Sequence, residues 1–158
     1  CVSAFDESTV TADTPAQLVE KLARGKCLTV AAEHPGCVVV GCDTVVDVGG
    51  EVFGKPHSVE DARRMLQALS GATHQVHTGV CISDGRRTES FVDTSRVTFF
   101  PIPDEELEAY IATDEPYDKA GAYAIQGRAA LWLDRIEGDY YTIMGFPVSR
   151  VARLLAKF

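Results

Sequence analysis

No apolar run in this chain approaches the roughly 20 residues that a membrane-spanning helix needs. Its first residues show no basic, apolar and cleavage-site pattern of a secretory signal. The expected compartment is therefore the cytoplasm, with no membrane partner. Clusters of lysine or arginine are also missing, and the formal net charge is −8. This argues against a protein that coats nucleic acid through its phosphates. It leaves room for a nucleotide pocket, where a few local cations and a metal offset the global charge. Cysteine is sparse: Cys1, Cys27, Cys37, Cys42 and Cys81, an odd number without a Cys-x-x-Cys spacing. Neither a disulfide framework nor a zinc site is expected. Cys37, Cys42 and Cys81 lie in apolar strand-like runs, where a thiol acts as a small core residue. The histidines (His34, His57, His74, His77) lack metal spacing, and His74 and His77 read as strand residues. No repeat, low-complexity segment or linker divides the 158 residues, which suit one domain with a usable core.

What is present begins with a strand. Cys37-Val38-Val39-Val40-Gly41-Cys42 is apolar throughout, as a strand buried on both faces would be. It ends in Asp43-Thr44, and a hairpin across Gly49-Gly50 leads to Gly54-Lys55-Pro56. Ahead of it, Thr14-Pro15-Ala16-Gln17 reads as a capped helix start. Leu18, Leu22, Lys26 and Val30 recur at helical spacing up to the stop at Pro35-Gly36. Ser58-Val59-Glu60-Asp61 opens a second helix, which Gly71 ends. Residues 74–83 and 88–100 predict a long hairpin through Asp84-Gly85. Pro103 starts a third helix, short strands are expected near 121–125 and 129–135, and Pro147 opens the last helix. Helices and hairpins alternate, so the class is α/β with a mixed sheet.

Several residues could carry chemistry. A carboxylate at a strand end, such as Asp43, either caps a turn or binds a metal and activates water. Thr44 either bonds a ligand or is a β-branched strand residue. Lys55 is a compact cation in a rigid turn, suited to phosphate. Lys26 sits on the apolar stripe of its helix and either snorkels to water or reaches into a site. In Asp118-Lys119-Ala120-Gly121-Ala122-Tyr123-Ala124-Ile125-Gln126-Gly127, an acid and a base adjoin a glycine, and an amide ends a short apolar run. Gln126 offers both a donor and an acceptor, as reading a base edge requires.

In this order, Asp6-Glu7-Ser8, Gly41-Cys42-Asp43-Thr44-Val45-Val46, Gly54-Lys55-Pro56, the stretch from Leu69 to Val80, the stretch from Asp118 to Gly127, and Ile136-Glu137-Gly138-Asp139-Tyr140-Tyr141 with Gly145-Phe146-Pro147 resemble the Maf family of nucleoside-triphosphate pyrophosphatases. The resemblance implies a fold shared with inosine-triphosphate pyrophosphatases: a long twisted mixed sheet flanked by helices, with a cleft between two lobes. It also implies hydrolysis of a nucleoside triphosphate to the monophosphate and pyrophosphate with Mg²⁺ or Mn²⁺, and a homodimer. On the matching motifs, Asp43 is the catalytic acid and a metal ligand, and Glu7 a second metal ligand. Lys26 and Lys55 hold phosphates, and Asp118 and Lys119 order the cleft. Thr44 and Gln126 match the pair that marks a preference for dTTP and UTP. The family is also associated with inhibition of septum formation, which offers a nucleotide-binding role without turnover as the alternative. The family's Ser-x-Ser-Pro-Arg-Arg segment does not occur in these residues, so the first strand and helix are expected to be missing.

Overall fold

The structure, a computed structural model, describes residues 2–158. A 3₁₀ turn at Glu7–Thr9 precedes α1 (Pro15–Glu33). Then follow β1 (Val39–Val48), β2 (Glu51–Phe53), α2 (Val59–Leu69), β3 (Thr73–Ser83), β4 (Thr88–Phe99), α3 (Asp104–Ile111), β5 (Leu133–Glu137), α4 (Tyr140–Ile143) and α5 (Val148–Leu155). The strands form one sheet in the order β2-β1-β3-β4-β5.

Local chemistry accounts for the element ends. Thr14 Oγ1 accepts from Gln17 N at 3.2 Å, and Gln17 Oε1 accepts from Asp13 N at 3.2 Å. Such caps satisfy orphan helix donors and contribute about 1 kcal/mol. Ser58 caps α2 through Asp61 N in the same way. At the β3–β4 turn, Asp84 Oδ1 accepts from Arg86 N at 2.8 Å and Arg87 N at 2.7 Å.

The α/β reading holds, but the expected mixed sheet does not: every pairing among the described residues is antiparallel. The reason lies in the β2–α2 excursion. It returns the chain to the end of the sheet that β1 had reached, with Gln75 opposite Asp47, so β3 runs back beside β1. The strand expected near 121–125 is also absent. Ala120–Ala122 is a 3₁₀ turn with Gly121 at φ 70° and Ala122 at φ 60°, which extended backbone cannot contain. Its apolar residues Ala122, Tyr123 and Ile125 are buried from a loop instead. The strand expected at 129–135 begins only at Leu133, after a 3₁₀ turn at Arg128–Trp132.

α1 lies on one face of β1 and β3. Two glycines admit it: a Cβ on Gly41 would stand 2.6 Å from Ala23 O, and one on Gly79 would overlap the backbone at Val19. The helix backbone thus rests directly on the strands. The opposite face carries the main core, where Val46, Phe53, Leu66, Val76, Phe99, Tyr110, Tyr123 and Trp132 pack. Farther along that face, Val151 of α5 covers Val80 and Ile82. Gly79→Ala would force α1 off the sheet. A loss of about 1–3 kcal/mol is expected, measurable by urea denaturation, with a parallel loss of whatever α1 presents to the cleft.

Cys1 lies outside the described residues. Cys27, Cys37, Cys42 and Cys81 are free thiols. Cys81 is buried and Cys42 half-buried as expected, but Cys37 is exposed because β1 starts only at Val39. His74 and His77 are buried in β3, bonded to Tyr123 Oη at 2.8 Å and to Thr94 Oγ1 at 2.8 Å. Among the described residues, no helix is long and apolar enough to cross a membrane.

Candidate active site

β2 pairs only with Val46–Val48, so upstream of Val46 the outer edge of β1 carries no strand among the described residues. Along this edge runs a cleft of about 1050 Å³. Asp43 and Thr44 border it from opposite faces of β1, since successive side chains alternate. Asp43 stands on the α1 side, opposite Gly79, and Thr44 on the other side, opposite Thr78.

The close seat of α1 delivers Lys26 to Asp43. Lys26 Nζ donates to Asp43 Oδ1 at 2.5 Å and lies 3.0 Å from Glu7 Oε1. Lys26 thus turns into the cleft toward Asp43 and Glu7 instead of snorkelling to open water. Glu7 sits in its 3₁₀ turn because Asp6 Oδ1 accepts from Ser8 N at 3.0 Å and Ser8 Oγ at 2.7 Å. The side chains of Asp43 and Lys26 are 13% and 23% exposed, and that of Glu7 is 54% exposed.

Burial and pairing pull Asp43 in opposite directions. Its carboxyl is held above the ordinary carboxylate range, because burial disfavours the anion by more than Lys26 favours it. Burial also works against the Lys26 ammonium, but the hydrogen bonds it donates to Asp43 and Glu7 outweigh that and raise the lysine's proton affinity. The result is a proton acceptor of enhanced basicity beside a cation that stays charged.

The far wall is a loop. Gly121 N donates to Gly54 O at 3.0 Å, which ties the Lys55 turn to the segment from Asp118 to Gly121. Lys119 Nζ meets Asp118 Oδ2 at 2.6 Å at the surface. Lys55 is exposed and makes no hydrogen bond or ion pair among the described residues, leaving its ammonium available to an anion in the cleft. Gln126 is exposed on the same wall, in a turn where Gly127 N donates to Ala124 O at 3.0 Å. Glu115 braces this turn by accepting from Arg128 N at 2.9 Å and Tyr110 Oη at 3.1 Å.

All eight residues singled out in the sequence therefore line one cleft: Glu7, Lys26, Asp43, Thr44, Lys55, Asp118, Lys119 and Gln126. Sequence reading missed the brace from Glu115 and Tyr110, and it missed Arg64, which lines the cleft while paired to Glu51 and Asp61. It also missed Thr78 and Thr142 behind Thr44, since no local signal announces a contact between β1 and β3.

A family model described as Maf-like protein matches residues 1–158. The chain belongs to the Maf family. Among similar proteins is a dTTP/UTP pyrophosphatase of Bacillus velezensis, 48% identical over 145 residues, or 92% of this chain and 77% of the relative. A dTTP/UTP pyrophosphatase of Symbiobacterium thermophilum is 46% identical over 157 residues, 99% of this chain and 81% of that protein. Another from Bacillus cytotoxicus is 42% identical over 157 residues, 99% and 82%.

Asp43 and Glu7 are the residues of this cleft that could hold a hard divalent cation. No cluster of three or more histidine, cysteine or acidic residues able to hold a metal exists among the described residues. Two carboxylates, Asp43 and Glu7, do converge within 3.0 Å of one ammonium nitrogen. Mg²⁺ is commonly held by one or two carboxylates with substrate phosphates and water supplying the rest.

Proposed function

We propose that this chain hydrolyses nucleoside triphosphates, dTTP and UTP foremost, to the nucleoside monophosphate and pyrophosphate. The observation that carries the reading is Asp43: a largely buried carboxyl of raised basicity, clamped by Lys26, in a cleft that also presents Lys55 and Lys119. The names of the similar proteins point the same way. Water adds to a phosphorus of the α–β anhydride, the bridging P–O bond breaks, and pyrophosphate leaves. Asp43 accepts the proton of the attacking water, and its raised proton affinity suits that task. Lys26 keeps Asp43 oriented and offsets its charge. Lys55, with Lys119 beside it, holds the phosphate oxygens, and Thr44 and Gln126 meet the base. A Mg²⁺ or Mn²⁺ held by Asp43 and Glu7 would neutralise developing phosphate charge.

The test is product analysis by phosphorus NMR with dTTP, UTP, CTP and ATP, with and without Mg²⁺. Monophosphate and pyrophosphate from dTTP and UTP are expected. Orthophosphate as the first product, or calorimetric binding of dTTP without turnover, would overturn the proposal.

A further inference from the structure

Behind Thr44 runs a chain of hydrogen bonds that sets which way its hydroxyl points. Thr78 Oγ1 lies 2.7 Å from the carbonyl oxygen of Thr142 and 2.8 Å from Thr44 Oγ1. A carbonyl has no hydrogen, so the short contact to Thr142 O consumes the single proton of Thr78. The remaining contact then needs the proton of Thr44. Thr44 donates inward to Thr78 and turns only lone pairs outward. The chain behind it is rigid: Thr78 and Thr142 are fully buried, Thr142 Oγ1 donates to Asp93 Oδ2 at 2.9 Å, and Arg150 Nη1 holds Asp93 Oδ1 at 2.7 Å. The outward side is open. Gly145, at φ 90°, stands in front, where a Cβ would come within 3.2 Å of Thr44 Oγ1.

We propose that Thr78 is a specificity-positioning residue: through Thr142 it fixes Thr44 as a hydrogen-bond acceptor, so the cleft selects pyrimidines that carry an imino N–H over cytosine. The inference rests on the pyrimidine-triphosphate reading above. N3–H is the one donor on the base-pairing edge of uracil and thymine, so an acceptor that reads these bases bonds at N3, where cytosine presents a lone pair. Two facing lone pairs repel and leave both atoms unsatisfied, which is how polar sites reject close analogues. Gln126, which both donates and accepts, cannot supply this discrimination by itself, because its amide rotates to suit either base.

The experiment compares kcat and KM for UTP and CTP in the parent, Thr78→Val and Thr78→Ser. Valine keeps the volume but frees the Thr44 hydroxyl to rotate and donate outward. The ratio of kcat/KM for UTP over CTP should fall roughly tenfold or more in Thr78→Val. The change should lie mainly in KM, and Thr78→Ser should retain the parent ratio. An unchanged ratio in a folded Thr78→Val overturns the proposal. The parent protein offers a second measurement that needs no folded variant. N3-methyl-UTP, which lacks the imino proton, should be turned over at less than about a tenth of the UTP rate, and equal rates overturn the proposal. If the parent releases no pyrophosphate from UTP, the underlying activity fails instead, which separates the two failures.

Discussion

Asp43→Asn is expected to reduce pyrophosphate release from UTP by about 10³-fold, within the range for loss of a general base, while the protein stays folded. The amide keeps the shape of the carboxyl and can still accept a hydrogen bond from Lys26 Nζ, but it cannot take a proton from water. The stability effect is small because two contributions oppose each other. In the parent, the Asp43 carboxyl is raised above its ordinary value, so folding favours its protonated form. That contribution is full at low pH and fades as pH rises from the ordinary carboxylate range through the raised value. At neutral pH the buried charge is a net burden, which asparagine removes. Lys26 is raised as well, so its contribution is full at neutral pH and lost only in strong alkali. Asparagine forfeits the Asp43 share of that pairing, while Glu7 remains at 3.0 Å. A melting temperature within a few degrees of the parent's is expected by calorimetry, equivalent to about 1 kcal/mol or less. Parental turnover in the folded variant would remove Asp43 from the catalytic role.

Lys26→Met should have the second largest effect, and a different signature. Methionine fills the position on α1 without a charge. Asp43 then stays largely buried, 13% exposed, with Glu7 nearby and its nearest cation gone. Lys26 and the more distant Lys55 are the groups that lower the Asp43 proton affinity, and burial and Glu7 raise it. Removing Lys26 must therefore raise it further. The acid limb of the kcat/KM profile should move to higher pH, and activity at neutral pH should fall about 10²-fold, as for loss of an orienting or charge-stabilising group. Stability should drop by about 1–3 kcal/mol, since a mostly buried carboxylate loses its partner, and less so at low pH, where Asp43 is protonated. An acid limb that stays in place would show that Lys26 does not control Asp43.

Both predictions rest on an ion pair between residues seventeen positions apart. The sequence makes each partner conspicuous by itself: a carboxylate closing a run of valines, and a lysine on the apolar stripe of a helix. Their pairing depends on how deeply α1 sinks onto the sheet. That depth is set by Gly41 and Gly79, whose importance appears only when β1, β3 and α1 are in contact. The same limit explains Thr44. Its neighbour Thr78 lies across a strand pairing with α2 and β2 in between, so no local spacing reveals the relay. The run from 121 to 125 misled for another reason. Its continuous apolar character meets the burial requirement of a strand, but Gly121 and Ala122 adopt positive φ and place those side chains in the core from a turn.

What the amino-acid sequence determined by itself is whatever short-range chemistry settles: the Thr14–Gln17 cap, the Asp84-Gly85 turn, the start of α2 at Ser58, and the set of charged and polar residues carried by the motifs. Those features depend on atoms a few residues apart, and the signals lie in the same window as the structure they specify. The tertiary structure alone decided the antiparallel course of β3, the clamp of Lys26 on Asp43 and Glu7, and the outward polarity of the Thr44 hydroxyl. Each of these depends on which distant surfaces meet and how closely, and burial then changes proton affinities and hydrogen-bond direction. No residue has those properties before the chain has folded around it.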